Sequence, residues 1–146
     1  MEDDATLLAE AIAVACRAHR GQRYPSPERE PYIQHPLRVM LAVRPLRTRM
    51  VAVLHDVLED TAVTAGDLRE AGLPDRVVAA VVALTHRPEQ TYEEYIEQVA
   101  ADPLARQVKL ADLADNLANN RRLAPTPDVV DRIDRYERAE RRLRAL

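Results

Sequence analysis

The stretch LHDVLED, residues 54–60, sets His55, Asp56, Glu59 and Asp60 into a run that otherwise reads apolar, VAVLHDVL. On a helix turning about 100° per residue, these four side chains fall within an arc of about 140°. Val53, Leu54, Val57 and Leu58 cover the rest of the circumference, and Val51 and Ala52 lie one turn earlier on the acidic side. A helix apolar nearly all round is a buried helix, so the acids line a pocket or groove within the fold. Clustered carboxylates repel one another, and burying them uncompensated is strongly unfavourable. No Lys or Arg occurs between Arg49 and Arg69, so the neighbouring sequence supplies no cation. A divalent metal would, because it accepts imidazole and carboxylate donors together.

Two residues elsewhere complete such a site. His35 stands in YIQHP at a loop-to-helix junction, and Asp112 stands mid-helix in VKLADLADN among Val108, Leu110, Ala111 and Leu113. Singly, each of these groups would pass for an ordinary polar residue near a helix end. Together, His35, His55, Asp56 and Asp112 make a mixed nitrogen and oxygen donor set suited to Mn, Fe, Zn or similar metals, and too rich in imidazole for calcium. Four protein donors leave positions open on a six-coordinate ion, as water and phosphate oxygen require.

The elements that must carry these residues read as helices. Leu7, Leu8, Ala11, Ile12, Ala15 and Cys16 recur at helical spacing over 5–19, and Gly21 ends that helix. Residues 21–34, GQRYPSPEREPYIQ, hold three prolines and form a loop long enough to wall a site. Pro36 opens a second helix to about Val43, and Pro45 separates it from a third over 47–59. Thr64 caps a short helix closed by Gly72, and Pro74 starts the next; Thr91 and Glu94 form a capping box for 92–101. Pro103 begins the helix with Asp112, and PTP at 125–127 precedes a charged final helix. No period-2 alternation is sustained, so the expectation is an all-α domain of seven to eight short helices spanning 1–146.

Length and charge narrow the classes further. A chain of 146 residues can bury a core without disulfides or a structural metal. Cys16 is the sole cysteine; its place in an apolar stretch assigns it to the core and suits a reducing compartment. No basic leader or long apolar run occurs, which points to a soluble, cytoplasmic protein with no membrane partner. The net charge of −3 argues against a nucleic-acid partner. The Arg-rich segment 135–144 fits a solvated helix face, because Asp131/Arg135, Asp134/Arg138, Glu137/Arg141 and Glu140/Arg144 are all spaced i,i+4. His19 and His86 read as packing and helix-end residues, Tyr92 and Tyr95 as cover for the core edge with one of them placed to stack on a base, and Asp115 as solvent-facing or as a partner to a metal-site residue.

The pattern H…HD…D resembles the HD-domain metal-dependent phosphohydrolases. More narrowly, AHRGQ (18–22), PYIQHPLRV (31–39), VLHDVLEDTAVT (53–64) and VKLADLADNL (108–117) resemble the hydrolase domain of the RelA/SpoT alarmone family. The resemblance spans nearly the whole chain and implies a small stand-alone hydrolase. It implies that His35, His55, Asp56 and Asp112 hold one Mn²⁺, and that Glu59 and Asp60 are the catalytic pair orienting and deprotonating water. It also implies that Asn116, Arg23 and Lys109 meet a phosphorylated nucleotide. The reaction so implied removes the 3′-pyrophosphate from guanosine tetra- or pentaphosphate, leaving GDP or GTP. The chain departs from the pattern at Tyr24 and Pro25, where basic residues are usual, and after Asn116, where Leu117 and Ala118 replace a basic position. Two other functions fit the same residues: an HD phosphatase acting on NADPH or a nucleoside monophosphate, and a nucleotide-sensing module without turnover. A homo-oligomer is left open.

Overall fold

The computed structural model describes residues 2–146, and among them the chain is helical, without strands. The helices are α1 (Asp4–Ala18), α2 (Gln34–Leu41), α3 (Leu46–Leu54), α4 (Val57–Asp60), α5 (Ala65–Glu70), α6 (Asp75–Ala83), α7 (Tyr92–Ala100), α8 (Pro103–Asn120) and α9 (Pro127–Arg144). Their starts follow the side-chain chemistry. Asp3 accepts from the Thr6 amide at 2.8 Å, and Thr64/Asp67 and Thr91/Glu94 form reciprocal capping boxes. Asp102 and Thr126 cap α8 and α9, each followed by proline at the first helical position. Gly21 and Gly72 adopt φ of 83° and 92°, the left-handed conformation that lets the chain turn out of α1 and α5.

The core is built round α3. Met50, Val51, Ala52, Val53 and Leu54 are all fully buried, and the helix packs against α1, α2, α6 and α8. An all-round apolar helix is stable only when wrapped in this way. From α1 the buried stripe is Leu7, Ala11 and Ala15; Cys16 lies one position off it and is exposed, not in the core.

The helix expected over 47–59 is two. It breaks at His55–Asp56, where the His55 amide reaches back only three residues to the Ala52 carbonyl (3.4 Å) and Asp56 has φ −104°, ψ −3°. The His55 imidazole donates to the same carbonyl through Nδ1 at 2.6 Å, so the side chain replaces a rung of the ladder. This interruption brings the described helices to nine. Likewise α2 begins at Gln34, two residues before Pro36. The 21–34 loop is a folded-back arm, with Tyr24 N donating to Glu30 O and Tyr32 N to Gln22 O, both at 2.8 Å. The Gln22 side-chain amide fastens the arm to α4 by donating to the Asp60 carbonyl at 2.9 Å.

Candidate metal centre

Three elements meet at the expected donor set. His35 comes from the first turn of α2, His55 and Asp56 from the break between α3 and α4, and Asp112 from the middle of α8. His35, His55 and Asp112 are buried; Asp56 is half-buried. The imidazoles of His35 and His55 and the carboxylate of Asp56 present donor atoms all within 4.8 Å of one another. Asp112 Oδ1 lies 2.9 Å from His35 Nε2 and 3.2 Å from His55 Nε2, and Asp56 Oδ2 lies 3.0 Å from His55 Nε2.

The other ring nitrogens are already committed. His55 Nδ1 faces a backbone carbonyl and must therefore donate, while His35 Nδ1 lies 2.7 Å from Asp115 Oδ2. Each ring thus turns its Nε2 to the shared point, which is how ligating histidines are usually oriented. Burial opposes charge on both rings, yet the facing aspartates outweigh it: His35 is raised, and His55 well above the ordinary histidine range. The point between the rings and the two aspartates therefore attracts positive charge, as a proton on Nε2 or as a metal cation. The donor chemistry fits a divalent metal.

One cation arrives from outside the neighbouring sequence. Lys109 of α8 donates from Nζ to Asp112 Oδ2 at 2.9 Å and sits 5.0 Å over the Tyr95 ring. Burial disfavours its charge, but Asp112 holds it protonated, well above the usual lysine range. Asn116 donates to Asp112 Oδ1 at 3.0 Å, so both Asp112 oxygens have protein partners. Tyr32 donates its hydroxyl to Asp56.

The donor set opens on a cavity of about 530 Å³, which Glu59, Asp60, Lys109 and Asn116 also line. Glu59 Oε1 accepts from the His86 amide at 2.7 Å, which pins that carboxylate to the wall. Partial burial, then the charges of Asp56 and Glu59, push the Asp60 carboxyl up to about 6. A carboxyl so poised exchanges a proton near neutrality. Arg23 is not brought to the cavity: its guanidinium points along the arm toward the Arg29 carbonyl.

Several residues at the site escape a reading of the sequence. Tyr24, at a departure from the family pattern, is buried, stacks on His35 at 4.8 Å and donates to Asn116 Oδ1. Tyr92 and Tyr95 cover the core edge as expected, and both also line the cavity. Arg135 also lines it, 4.9 Å over the Tyr92 ring, instead of pairing with Asp131. Of the other i,i+4 pairs on α9, Asp134/Arg138 and Glu140/Arg144 form, while Glu137 turns to Arg121. Asp115 takes the second of its two readings, bonding His35 and Arg38. A signal for that pair existed: Arg38 follows His35, and Asp115 follows Asp112, by three residues, one helical turn.

An all-helical fold that brings two imidazoles and two aspartates together from three elements matches the HD pattern of the sequence. Comparison with known proteins narrows this. No family model matches the chain. The mouse protein guanosine-3′,5′-bis(diphosphate) 3′-pyrophosphohydrolase MESH1 is 33% identical over 136 residues, covering 86% of this chain and 76% of its own length. Its human counterpart is also 33% identical, over 135 residues, covering 86% and 75%. The bifunctional (p)ppGpp synthase/hydrolase SpoT of Escherichia coli K12 is 34% identical over 135 residues, 84% of this chain and 19% of that protein. A solved structure described as "A metazoan ortholog of SpoT hydrolyzes ppGpp and plays a role in starvation responses" superposes with a TM-score of 0.79 at 27% identity, covering 94% of this chain and 84% of the other. The chain belongs to the MESH1 family of SpoT-type HD proteins. Among the described residues, no helix is long and apolar enough to cross a membrane.

Proposed function

We propose that residues 1–146 act as a single HD hydrolase domain that removes the 3′-pyrophosphate from guanosine-3′,5′-bis(diphosphate) and its pentaphosphate analogue. The observation that carries this reading is the convergence of His35 and His55 Nε2 on Asp112 and Asp56, beside Glu59 and Asp60 in one cavity wall. The names of the relatives point to the same reaction.

His35, His55, Asp56 and Asp112 would hold one Mn²⁺, whose bound chemistry is Lewis-acid activation of water and of the phosphoryl group. The side chains do the rest. Asp60, a carboxylate lining the cavity beside the donor set, accepts the proton of the attacking water as an oxygen–phosphorus bond forms at the phosphorus carried by the 3′-oxygen. Glu59, fixed by the His86 amide, orients that water. The bond from that phosphorus to the 3′-oxygen breaks, and the 3′-oxygen takes the proton held on Asp60 as pyrophosphate leaves. Lys109 holds Asp112 in place and puts positive charge in the phosphate-bearing end of the cavity. Asn116 bridges Asp112 and Tyr24 where the ribose would lie, and Arg135 faces phosphate from the α9 wall; Arg23, turned along the arm, stays outside this set.

The presence of Tyr24 and Pro25 in the wall, with Arg23 turned outward, favours a second reading in which the same centre hydrolyses another nucleotide, such as NADPH. A Mn²⁺-supplemented panel of ppGpp, NADPH and nucleoside monophosphates separates them: pyrophosphate from ppGpp supports the first, orthophosphate from the others the second. Saturable binding without product sinks both. Glu59→Ala is expected to keep its metal and lose turnover by about 10²-fold or more; full activity in that variant removes Glu59 from the mechanism.

A further inference from the structure

Beyond the donor set, one charged chain runs from the surface to a metal-site imidazole. His35 Nδ1 lies 2.7 Å from Asp115 Oδ2. Arg38 grips that carboxylate with both arms, Nε to Oδ1 at 2.8 Å and Nη2 to Oδ2 at 3.0 Å. The same guanidinium takes Glu30 of the 21–34 arm, Nη2 to Oε1 at 2.7 Å and Nη1 to Oε2 at 3.1 Å. It also lies 5.5 Å over the Tyr24 ring, which stacks on His35.

The geometry has a direction. A guanidinium offers its donors in a fixed planar fork, so clamping both Asp115 oxygens leaves that carboxylate little freedom to turn. Asp115 Oδ2 then faces His35 Nδ1 as an acceptor, which keeps the ring proton on Nδ1 and the Nε2 lone pair turned to the centre. His55 achieves the same with a backbone carbonyl, which cannot move without its helix. His35 relies instead on side chains, one of them anchored on the arm that walls the cavity.

We propose that Asp115, clamped by Arg38, is a positioning residue for the metal centre, and that the Glu30–Arg38 pair couples the 21–34 arm to metal affinity through His35. The inference rests on the metal reading above. Asp115 and Arg38 touch neither substrate nor metal in this role; they set the tautomer and orientation of a ligand. Movement of the arm that releases Glu30 loosens the grip on His35, so arm position and metal retention are linked.

The test uses the full chain, stripped of metal and titrated with Co²⁺, reading affinity by chelator competition and site geometry by the visible absorption of the bound ion. Asp115→Ala is expected to weaken Co²⁺ binding by about 10–100-fold and to alter the band. Asp115→Asn, Arg38→Met and Glu30→Gln should follow in the same direction with smaller effects, and kcat at saturating metal should change far less than the metal requirement. The double variant Asp115→Ala/Arg38→Met should bind no more weakly than Asp115→Ala alone, because Arg38 acts through Asp115. Unchanged affinity and an unchanged band in Asp115→Ala overturn the proposal, as does an additive double variant. If Asp115→Ala does not fold, Arg38→Met decides, and wild-type affinity there is equally fatal. A wild-type chain that yields no Co²⁺ band removes the metal reading itself, a different result from bands that are present and indifferent to these substitutions.

Discussion

Helices α8 and α9 are each 18 residues long, each capped by a side chain and each started by proline, yet they use polar residues in opposite ways. On α8, Lys109, Asp112 and Asn116 are turned inward, bonded to one another and to the histidines. On α9 most charges face solvent, in pairs such as Asp134/Arg138 and Glu140/Arg144. Start signals and length therefore make two similar rods, while placement in the bundle decides which charges become chemistry. Buried charges are costly to orphan; exposed ones exchange partners with water almost freely.

Substitutions should expose that contrast. The largest effect is expected from Asp112→Ala, which strands the buried Lys109 ammonium and strips both imidazoles of a partner. Loss of metal binding and of all turnover should accompany destabilisation of about 3–5 kcal/mol, read by metal analysis and denaturant melts. A folded, metal-loaded Asp112→Ala would place α8 in the same category as α9.

Acidity gives an intermediate effect. The metal-free rings of His35 and His55 bind protons more tightly than ordinary histidine, so a metal must displace those protons. Affinity should accordingly rise with pH from 6 to 8, with protons released on binding. The sign for folding is the reverse: raised histidines contribute stability that is full below their ordinary value of about 6.5 and is lost as pH rises through the folded values. Metal-free protein should thus lose this contribution toward alkaline pH while added metal restores stability, and calorimetry at the two pH values would detect a failure of either trend. The smallest effect belongs to α9. Arg142→Gln breaks a well-formed but exposed pair with Glu97, 2.7 and 2.8 Å, and should leave the melting temperature and activity unchanged.

Much of this was legible in the residues, and what was legible is local. The cap at Thr64, the capping box at Thr91, prolines at helix starts and Gly21 at a left-handed turn are written within a few positions of where they act. The convergence of His35, His55, Asp56 and Asp112 was readable because the four residues are chemically odd for their apolar surroundings. The Arg38–Asp115 clamp joins residues 77 positions apart; each lies one turn from a residue of the cluster, but nothing local decides between solvent and that role for Asp115 or ties it to Arg38. Arg135 was hidden by an alternative that local spacing satisfied, and Cys16 by a helical stripe that missed it by one position. The fracture at His55 had no signature either, since every residue from Leu46 to Asp60 suits a continuous helix except for a side chain that bonds its own backbone.

That fracture has a chemical meaning. Successive side chains on an unbroken helix diverge by about 100°, too far for neighbours to bind one ion comfortably. By letting the imidazole stand in for a missing rung, the chain turns two adjacent letters, His and Asp, toward one point, their Nε2 and Oδ2 3.0 Å apart, as two teeth that would close on one ion. Any sequence change that heals the helix there would splay the teeth, leaving every residue of the centre in place and the centre itself undone.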